Sequence, residues 1–155
     1  MRFGRIPALV LSLGVLLAAP AALASEPAEV VQQLYAEPGL AFGGAGSQGL
    51  LASDLRAGLQ AAQARSQGSS PIAFDYRYGF KETEISGFEL LSQIDNNQAK
   101  VVAVFKNFGK PESVDWVLCR TPAGDWRIAD ASSNTGPEAW DLRQILGLRL
   151  DSVRC

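Results

Sequence analysis

Apolar residues recur at helical spacing in the first part of the chain. One set lies in residues 26–37 and consists of Val30, Val31, Leu34 and Tyr35. A second set lies in residues 50–65 and consists of Leu51, Leu55, Leu59 and Ala62. Such stripes are typical of amphipathic helices with one buried face. The sequence therefore predicts two helices, joined by a glycine-rich connection over residues 38–49.

The pattern changes to strict alternation in residues 72–80. The apolar positions are Ile72, Phe74, Tyr76, Tyr78 and Phe80, with Asp75 and Arg77 between them. Alternation with a period of two predicts an extended segment with one buried face. Consecutive aromatic side chains on one face could form a stacking platform for a ligand, although such a face is more often part of a core.

Four further strands are predicted after this segment, over residues 83–94, 101–105, 113–121 and 126–130. Short turns between them predict an antiparallel meander, and Gly87 indicates a β-bulge in the first of these strands. Residues 101–105 (VVAVF) are apolar on both sides, which is typical of a strand covered on both faces. Helices would cover one face. The other would need a protein partner, a second copy in a homodimer through the sheet face, or the segment that ends at Cys155.

A closing helix is predicted over residues 138–146. Thr135 and Glu138 have the spacing of a capping box, and Gly147 would end the helix. Its buried side would carry Trp140 or Leu142, with Ile145 and Leu146. The predicted fold class is thus α+β, with a curved four-strand antiparallel sheet, two N-terminal helices and a closing helix in one domain over residues 25–155.

The start of the chain has the features of a secretory signal peptide. It is basic, residues 8–19 are almost wholly apolar, and Ala22-Leu23-Ala24 has the small-x-small form of a cleavage site. The apolar run is shorter than the roughly 20 residues that a spanning helix needs. We therefore predict cleavage after Ala24, a periplasmic or secreted location, and no stable membrane insertion afterwards. The alternative is a retained N-terminal anchor.

Charge and composition exclude several classes of function. The formal net charge is −2, and acidic and basic residues are scattered without a basic stripe, so nucleic acid is not an expected partner. The chain contains no histidine, which excludes Ser-His and Cys-His nucleophiles and imidazole metal sites. We expect no metal site and no cofactor.

Two cysteines, Cys119 and Cys155, are present. In an oxidising compartment they could form an internal disulfide. Free thiols or an intermolecular bridge are the alternatives that the sequence leaves open.

Three stretches resemble a known family. They are the alternating run of residues 99–111, the hairpin of residues 124–130, and Leu142-Arg143-x-x-Leu146. Together they resemble a family of exported bacterial domains of unknown function, grouped with the nuclear transport factor-like (ketosteroid-isomerase-like) fold. The resemblance covers roughly residues 30–146 and implies a cone-shaped α+β fold. It implies no catalytic residues, and Tyr76 stands where the family usually has proline.

Enzymes with this general fold usually place a carboxylate at the bottom of the cone, which makes Asp75, Asp130 and Tyr76 the catalytic candidates. A buried aspartate beside tyrosines could act as a general base. The simpler interpretation is that Asp130 ends a strand and that Asp75 faces water. The candidate ligand-binding residues are Tyr76, Tyr78 and Trp116.

The sequence therefore favours a non-enzymatic binding module of the cell envelope. Its partner would be an envelope protein or a small hydrophobic ligand. The alternative is a histidine-free isomerase- or hydrolase-like enzyme that uses a carboxylate and tyrosines.

Overall fold

The structure is a computed structural model, and it describes residues 25–36, 47–67 and 72–155. The predicted signal peptide lies outside the described residues. Most of the glycine-rich connection predicted for residues 38–49 also lies outside them.

The described elements form an α+β fold, as predicted. In chain order they are α1 (Pro27–Ala36), a 3₁₀ turn (Ser47–Leu50), α2 (Ser53–Arg65), β1 (Ile85–Asp95), β2 (Gln98–Asn107), β3 (Lys110–Arg120), β4 (Trp126–Ser133), β5 (Trp140–Asp141) and α3 (Leu142–Leu146). The five strands form one antiparallel sheet in the order β1-β2-β3-β4-β5, and the sheet is not closed. None of the described helices is long and apolar enough to cross a bilayer.

The bulge predicted at Gly87 is confirmed. The pairing of β1 with β2 shifts register between Ser86 and Glu89, and Gly87 has a φ of 62°. A side chain disfavours this left-handed conformation, so glycine is suited to the bulge.

Helix α1 covers one face of the sheet, which we call the α1 face. The core between them contains Val31, Leu34, Val101, Ala103, Val114, Trp116, Leu118 and Ile128. The opposite, outer face carries a strip of four apolar residues, Leu91, Val102, Val104 and Val117. Val102 and Val104 are half-buried, while Leu91 and Val117 are exposed. No described helix covers this strip. Strand β2 is therefore apolar on both faces, while a described helix covers only the α1 face.

The strand predicted over residues 72–80 is wrong. Only an isolated bridge joins Asp75 to Phe80, and the residues between them form a turn. The Asp75 carbonyl accepts hydrogen bonds from the N–H groups of Tyr78 and Gly79, at 3.0 and 2.7 Å. The Asp75 carboxylate accepts another from the Arg77 N–H at 3.0 Å. Because these local bonds satisfy the backbone within the segment, it does not join the sheet.

The predicted start of the second helix is three residues too early. Leu51 forms a parallel bridge with Ile128, and the Ala52 N–H donates to the Ile128 carbonyl at 2.7 Å. Residues 51–52 are thus extended along the edge of β4. Helix α2 begins only at Ser53.

The predicted capping box is also wrong. The Thr135 hydroxyl accepts a hydrogen bond from the Ser113 N–H at 2.9 Å, and it caps no helix. Helix α3 begins at Leu142, where the Asp141 carboxylate accepts from the Gln144 N–H at 2.8 Å. Residues 140–141 are extended because they pair with Ser132 and Ser133 of β4. The predicted end at Gly147 is confirmed, with a φ of 71°.

The internal disulfide between Cys119 and Cys155 is confirmed. Their Cα atoms lie 5.8 Å apart, and the bridge spans 36 residues. In the loop-closure model a bridge of this span stabilises the fold by about 4 kcal/mol. It joins Cys155 to β3, while residues 149–154 contact α2 and Arg143.

Candidate functional site

The three predicted ligand-binding rings lie in one aromatic cluster, in which Tyr78 and Trp116 pack on Tyr35 and Tyr76 packs on Trp116. The ring centroids of Tyr78 and Trp116 lie 5.4 and 5.8 Å from that of Tyr35, and the Tyr76 and Trp116 centroids are 5.9 Å apart. Trp116 is 0% exposed and Tyr76 is 4% exposed. These rings belong to the core, and a ligand could contact Trp116 only after the cluster had opened.

Tyr35 supplies a polar contact inside this aromatic cluster. Its hydroxyl donates to the Arg77 carbonyl and accepts a hydrogen bond from the Trp116 indole N–H at 3.2 Å. Burial raises the pKa of Tyr35 far above its ordinary value, and the hydrogen bond from Trp116 opposes that shift only in part. Tyr35 is therefore a neutral side chain that ties α1 to the turn of residues 75–80.

The catalytic candidate Asp75 forms an ion pair with Arg77, with 2.6 Å between the carboxylate Oδ2 and the guanidinium Nη2. Both side chains are partly buried. The carboxylate and the backbone carbonyl of Asp75 both accept hydrogen bonds within the turn of residues 75–80. Asp75 therefore stabilises that turn.

The catalytic candidate Asp130 lies on β4, and its described hydrogen bonds join it to neither Asp75 nor Tyr76. Its Oδ1 accepts from the N–H groups of Ala131 and Arg143, at 2.8 and 3.2 Å. Burial, and then the charge of Asp141, raise the pKa of Asp130 to about 6, although the two hydrogen bonds oppose the shift. The pKa of Asp130 is thus shifted toward neutral pH.

Replacing Asp130 with asparagine should change how stability depends on pH. The folded pKa of about 6 lies above the usual 3.9 of an unfolded chain, so the native state binds the proton more tightly. Wild-type stability should therefore fall as pH rises from about 4 to about 6. Two pKa units correspond to about 3 kcal/mol, which solvent screening of this partly exposed group reduces to about 1 kcal/mol.

Urea unfolding between about pH 4 and pH 7 measures this effect. The free energy of unfolding of Asp130→Asn should rise by about 1 kcal/mol relative to that of the wild type over that range. Asp95→Asn, which removes a carboxylate at the exposed end of β1, is the matched control for the loss of one negative charge. An Asp130→Asn variant whose stability has the same pH dependence as that of the wild type would contradict the raised pKa of Asp130.

A groove lies where the turn of residues 75–80 meets residues 137–145. It consists of two adjoining cavities of about 610 and 630 Å³ that share Phe80, Lys81 and Pro137. The larger cavity has four apolar walls, Phe74, Phe80, Trp140 and Ile145, and its polar lining includes Lys81, Glu138, Asp141 and Gln144. We call this feature the Phe80 groove. It contains none of Asp75, Tyr76, Tyr78, Trp116 and Asp130, so sequence reasoning missed it.

Gly79 positions Trp140 in the wall of the Phe80 groove. Gly79 has a φ of 80°, and a Cβ added there would lie 2.7 Å from the indole Nε1 of Trp140. The Trp140 ring also packs on Phe74, with 5.2 Å between centroids. The Nε1 atom is buried and has no hydrogen-bond partner among the described residues. An unpaired buried donor costs about 1–3 kcal/mol.

Arg143 of α3 is bonded to three other parts of the chain: α2, β4 and residues 149–152. Its side chain is 2% exposed and donates to the Asp54 carboxylate at 2.8 Å. It also donates to the carbonyls of Ala129, Arg149 and Ser152, at 3.2, 2.8 and 3.0 Å. Burial acts to raise the pKa of Asp54, but hydrogen bonds and the charge of Arg143 outweigh it and lower that pKa. All these contacts are within the protein, so Arg143 is a structural residue.

No group of three or more His, Cys, Asp or Glu side chains among the described residues is arranged to hold a metal ion. Comparison of the chain with protein-family models, with curated proteins and with solved structures finds no match.

Proposed function

We propose that the protein is an exported binding module that takes a small, largely apolar molecule in the Phe80 groove. The observation that carries this proposal is the groove itself, an apolar recess of about 630 Å³ with two aromatic rings in contact at its wall. Ligand sites typically have volumes of about 300–1,000 Å³, apolar walls and a few polar groups.

The charges around the groove favour a ligand held by apolar contact. The lining carries two lysines, Lys81 and Lys110, and four acidic residues, Glu82, Glu112, Glu138 and Asp141. This excess of negative charge disfavours an anionic ligand, and the lysines among the acids disfavour a highly charged cation. Phe74, Phe80, Trp140 and Ile145 would supply the contact area, and Lys81 or Gln144 would orient one polar group of the ligand.

Export and the cone-shaped fold are part of the same proposal. The Cys119–Cys155 disulfide suits an oxidising compartment, in agreement with the signal-like residues 1–24. A sheet with one helix-covered face is compatible with a nuclear transport factor-like cone built on a four-strand meander. Since aromatic rings occupy the α1 face, we place the ligand in the Phe80 groove and not beneath α1.

Titration with the dye Nile red, whose emission responds to apolar surroundings, tests the proposed site. We expect saturable binding by the wild type. Ile145→Lys should weaken it at least tenfold, because a charge replaces an apolar wall that is 42% exposed. Leu150→Lys is the matched control, because Leu150 is 63% exposed and lies outside the groove lining.

Equal binding by wild type and Ile145→Lys would place the ligand elsewhere, and no saturable binding would contradict the proposal. Native mass spectrometry of protein isolated from the envelope of its own host provides an independent measurement. A retained small molecule that is lost in Ile145→Lys but kept in Leu150→Lys would support the groove.

The pKa of Asp130 favours a second candidate function, the histidine-free isomerase- or hydrolase-like enzyme. A carboxylate with a pKa of about 6 is suited to general base catalysis near neutral pH. However, Asp130 already accepts two backbone hydrogen bonds, and Tyr76 is 4% exposed. Hydrolysis of an activated ester such as p-nitrophenyl acetate, with a rate that rises through about pH 6 and is lost in Asp130→Asn, would support the enzyme over the binding module.

A further inference from the structure

Strand β1 is an open edge of the sheet. It pairs with β2 along one side, and no other described strand pairs with it. The opposite edge, along β4, is occupied by β5 and by the bridge from Leu51 to Ile128. An open edge presents unpaired backbone N–H and C=O groups on which another strand can form.

Large apolar side chains are exposed along this open edge. Phe88 is 40% exposed, and Leu91 and Ile94 are each 51% exposed. The register with β2 places Ile94 on the α1 face and Leu91 on the outer face. Phe88 also lies on the α1 face, since its ring centroid is 4.7 Å from that of Tyr35. Apolar groups on both faces of an open edge indicate a surface that is buried in an assembly.

We propose that a second copy of the chain pairs antiparallel with β1, about a two-fold axis at Leu91. In this register Leu91 lies opposite Leu91 of the second copy, and Phe88 lies opposite Ile94 of the second copy. Directly opposed side chains share a face in an antiparallel pair, so the Phe88–Ile94 contacts form on the α1 face. The result is one continuous sheet through both copies, with an isologous interface.

Charge favours this register. Pairing about Leu91 puts Glu89 opposite Gln93 and Asp95 beside the bulge at Gly87, so no like charges are directly opposed. Moving the axis to Ser92 would put Glu89 opposite Asp95, and opposed like charges destabilise a strand pair. Moving the axis to Leu90 would put Ile94 opposite Ser86, and the contact between Phe88 and Ile94 of the second copy would be lost. The apolar residues of β1 are thus self-complementary about Leu91, and its two acidic residues do not face each other.

Sedimentation velocity over a hundredfold range of protein concentration tests the dimer. We expect reversible dimerisation of the wild type and a dissociation constant at least tenfold higher in Ile94→Lys. Val117→Lys is the matched control, because Val117 lies on the outer face away from the β1 edge. Both substituted side chains are at least 36% exposed, and circular dichroism checks that each variant folds.

The register is tested by oxidising a Leu91→Cys variant. Opposed residues of an antiparallel pair have Cα atoms about 4.5–5.5 Å apart, within the range that a disulfide spans. We expect a symmetric cross-link at this position and none in Leu150→Cys.

A wild-type monomer at every concentration would overturn the proposal. A dimer that survives Ile94→Lys but dissociates in Val117→Lys would also overturn it, in favour of pairing through the outer sheet face. Dimerisation does not depend on the Phe80 groove, so the dye titration and the sedimentation experiment can fail separately.

Discussion

Replacing Arg143 with methionine is expected to lower the free energy of unfolding by about 3–5 kcal/mol. The guanidinium is buried, and it donates to the Asp54 carboxylate and to the carbonyls of Ala129, Arg149 and Ser152. Methionine fills much of the same volume, but it leaves Asp54 ionised and half-buried without its counter-charge. Removing one member of a buried pair costs more than removing both.

Urea unfolding followed by circular dichroism measures the loss. The exposed Arg149 pairs with Asp151 at 2.7 Å, and Arg149→Met should show little change, because exposed pairs contribute little. The double variant Arg143→Met, Asp54→Leu should recover part of the stability, since no charge is then left unpaired.

The effect of Arg143→Met should also depend on pH. The folded pKa of Asp54 is depressed, so the ion pair stabilises the fold above the usual carboxyl pKa and is lost as pH falls below it. The loss in the variant should therefore be smaller at acidic pH than at neutral pH. A variant as stable as the wild type at neutral pH would contradict the role assigned to Arg143.

Replacing Trp116 with alanine is expected to cost about 3–5 kcal/mol, the range for deleting a large buried aromatic side chain. Trp116 is 0% exposed, contacts Tyr35 and Tyr76 edge to face, and donates its indole N–H to the Tyr35 hydroxyl. Alanine would leave a cavity between α1 and β3 that the rigid sheet can fill only in part.

Trp116→Phe is the matched control for this prediction. It keeps most of the ring contact and loses the hydrogen bond, so we expect a loss of about 1–2 kcal/mol. Unfolding should be followed by circular dichroism, because removal of a tryptophan alters the fluorescence signal itself. A loss below about 1 kcal/mol for Trp116→Ala would show that the aromatic cluster is not packed as described.

Features that depend on nearby residues were predictable from the sequence. The bulge at Gly87 and the helix end at Gly147 both need a positive φ, which glycine adopts at little cost. The strands β1 to β4 follow from alternating or continuous apolar runs between short turns. The first helix follows from its apolar stripe. In each case the determining sequence pattern lies within a single element or a short turn.

Features that depend on distant partners were not predictable. Residues 72–80 alternate like a strand, but Asp75 satisfies the backbone locally and the segment remains a turn. Thr135 has the spacing of a helix cap, yet its hydroxyl bonds Ser113 across the fold. A hydroxyl can satisfy either role, and only the tertiary structure selects between them.

The candidate site shows the same limit. The sequence identified aromatic residues, but burial places Tyr76 and Trp116 inside the core. The Phe80 groove arises because Gly79 lies directly beneath Trp140, and no local pattern links those two positions. The signal that the sequence contains is a glycine between the last two aromatic residues of a run, together with a tryptophan that follows a Gly-Pro pair later in the chain.

The Cys119–Cys155 disulfide has a consequence for limited proteolysis. Both ends of residues 120–154 are held by the same covalent bond, and these residues include Trp140, Arg143 and Ile145. A single protease cut at the exposed Pro122–Ala123 turn would therefore release no fragment under non-reducing conditions. Nicked and intact protein would differ in mass by one water molecule until a reductant separated the pieces.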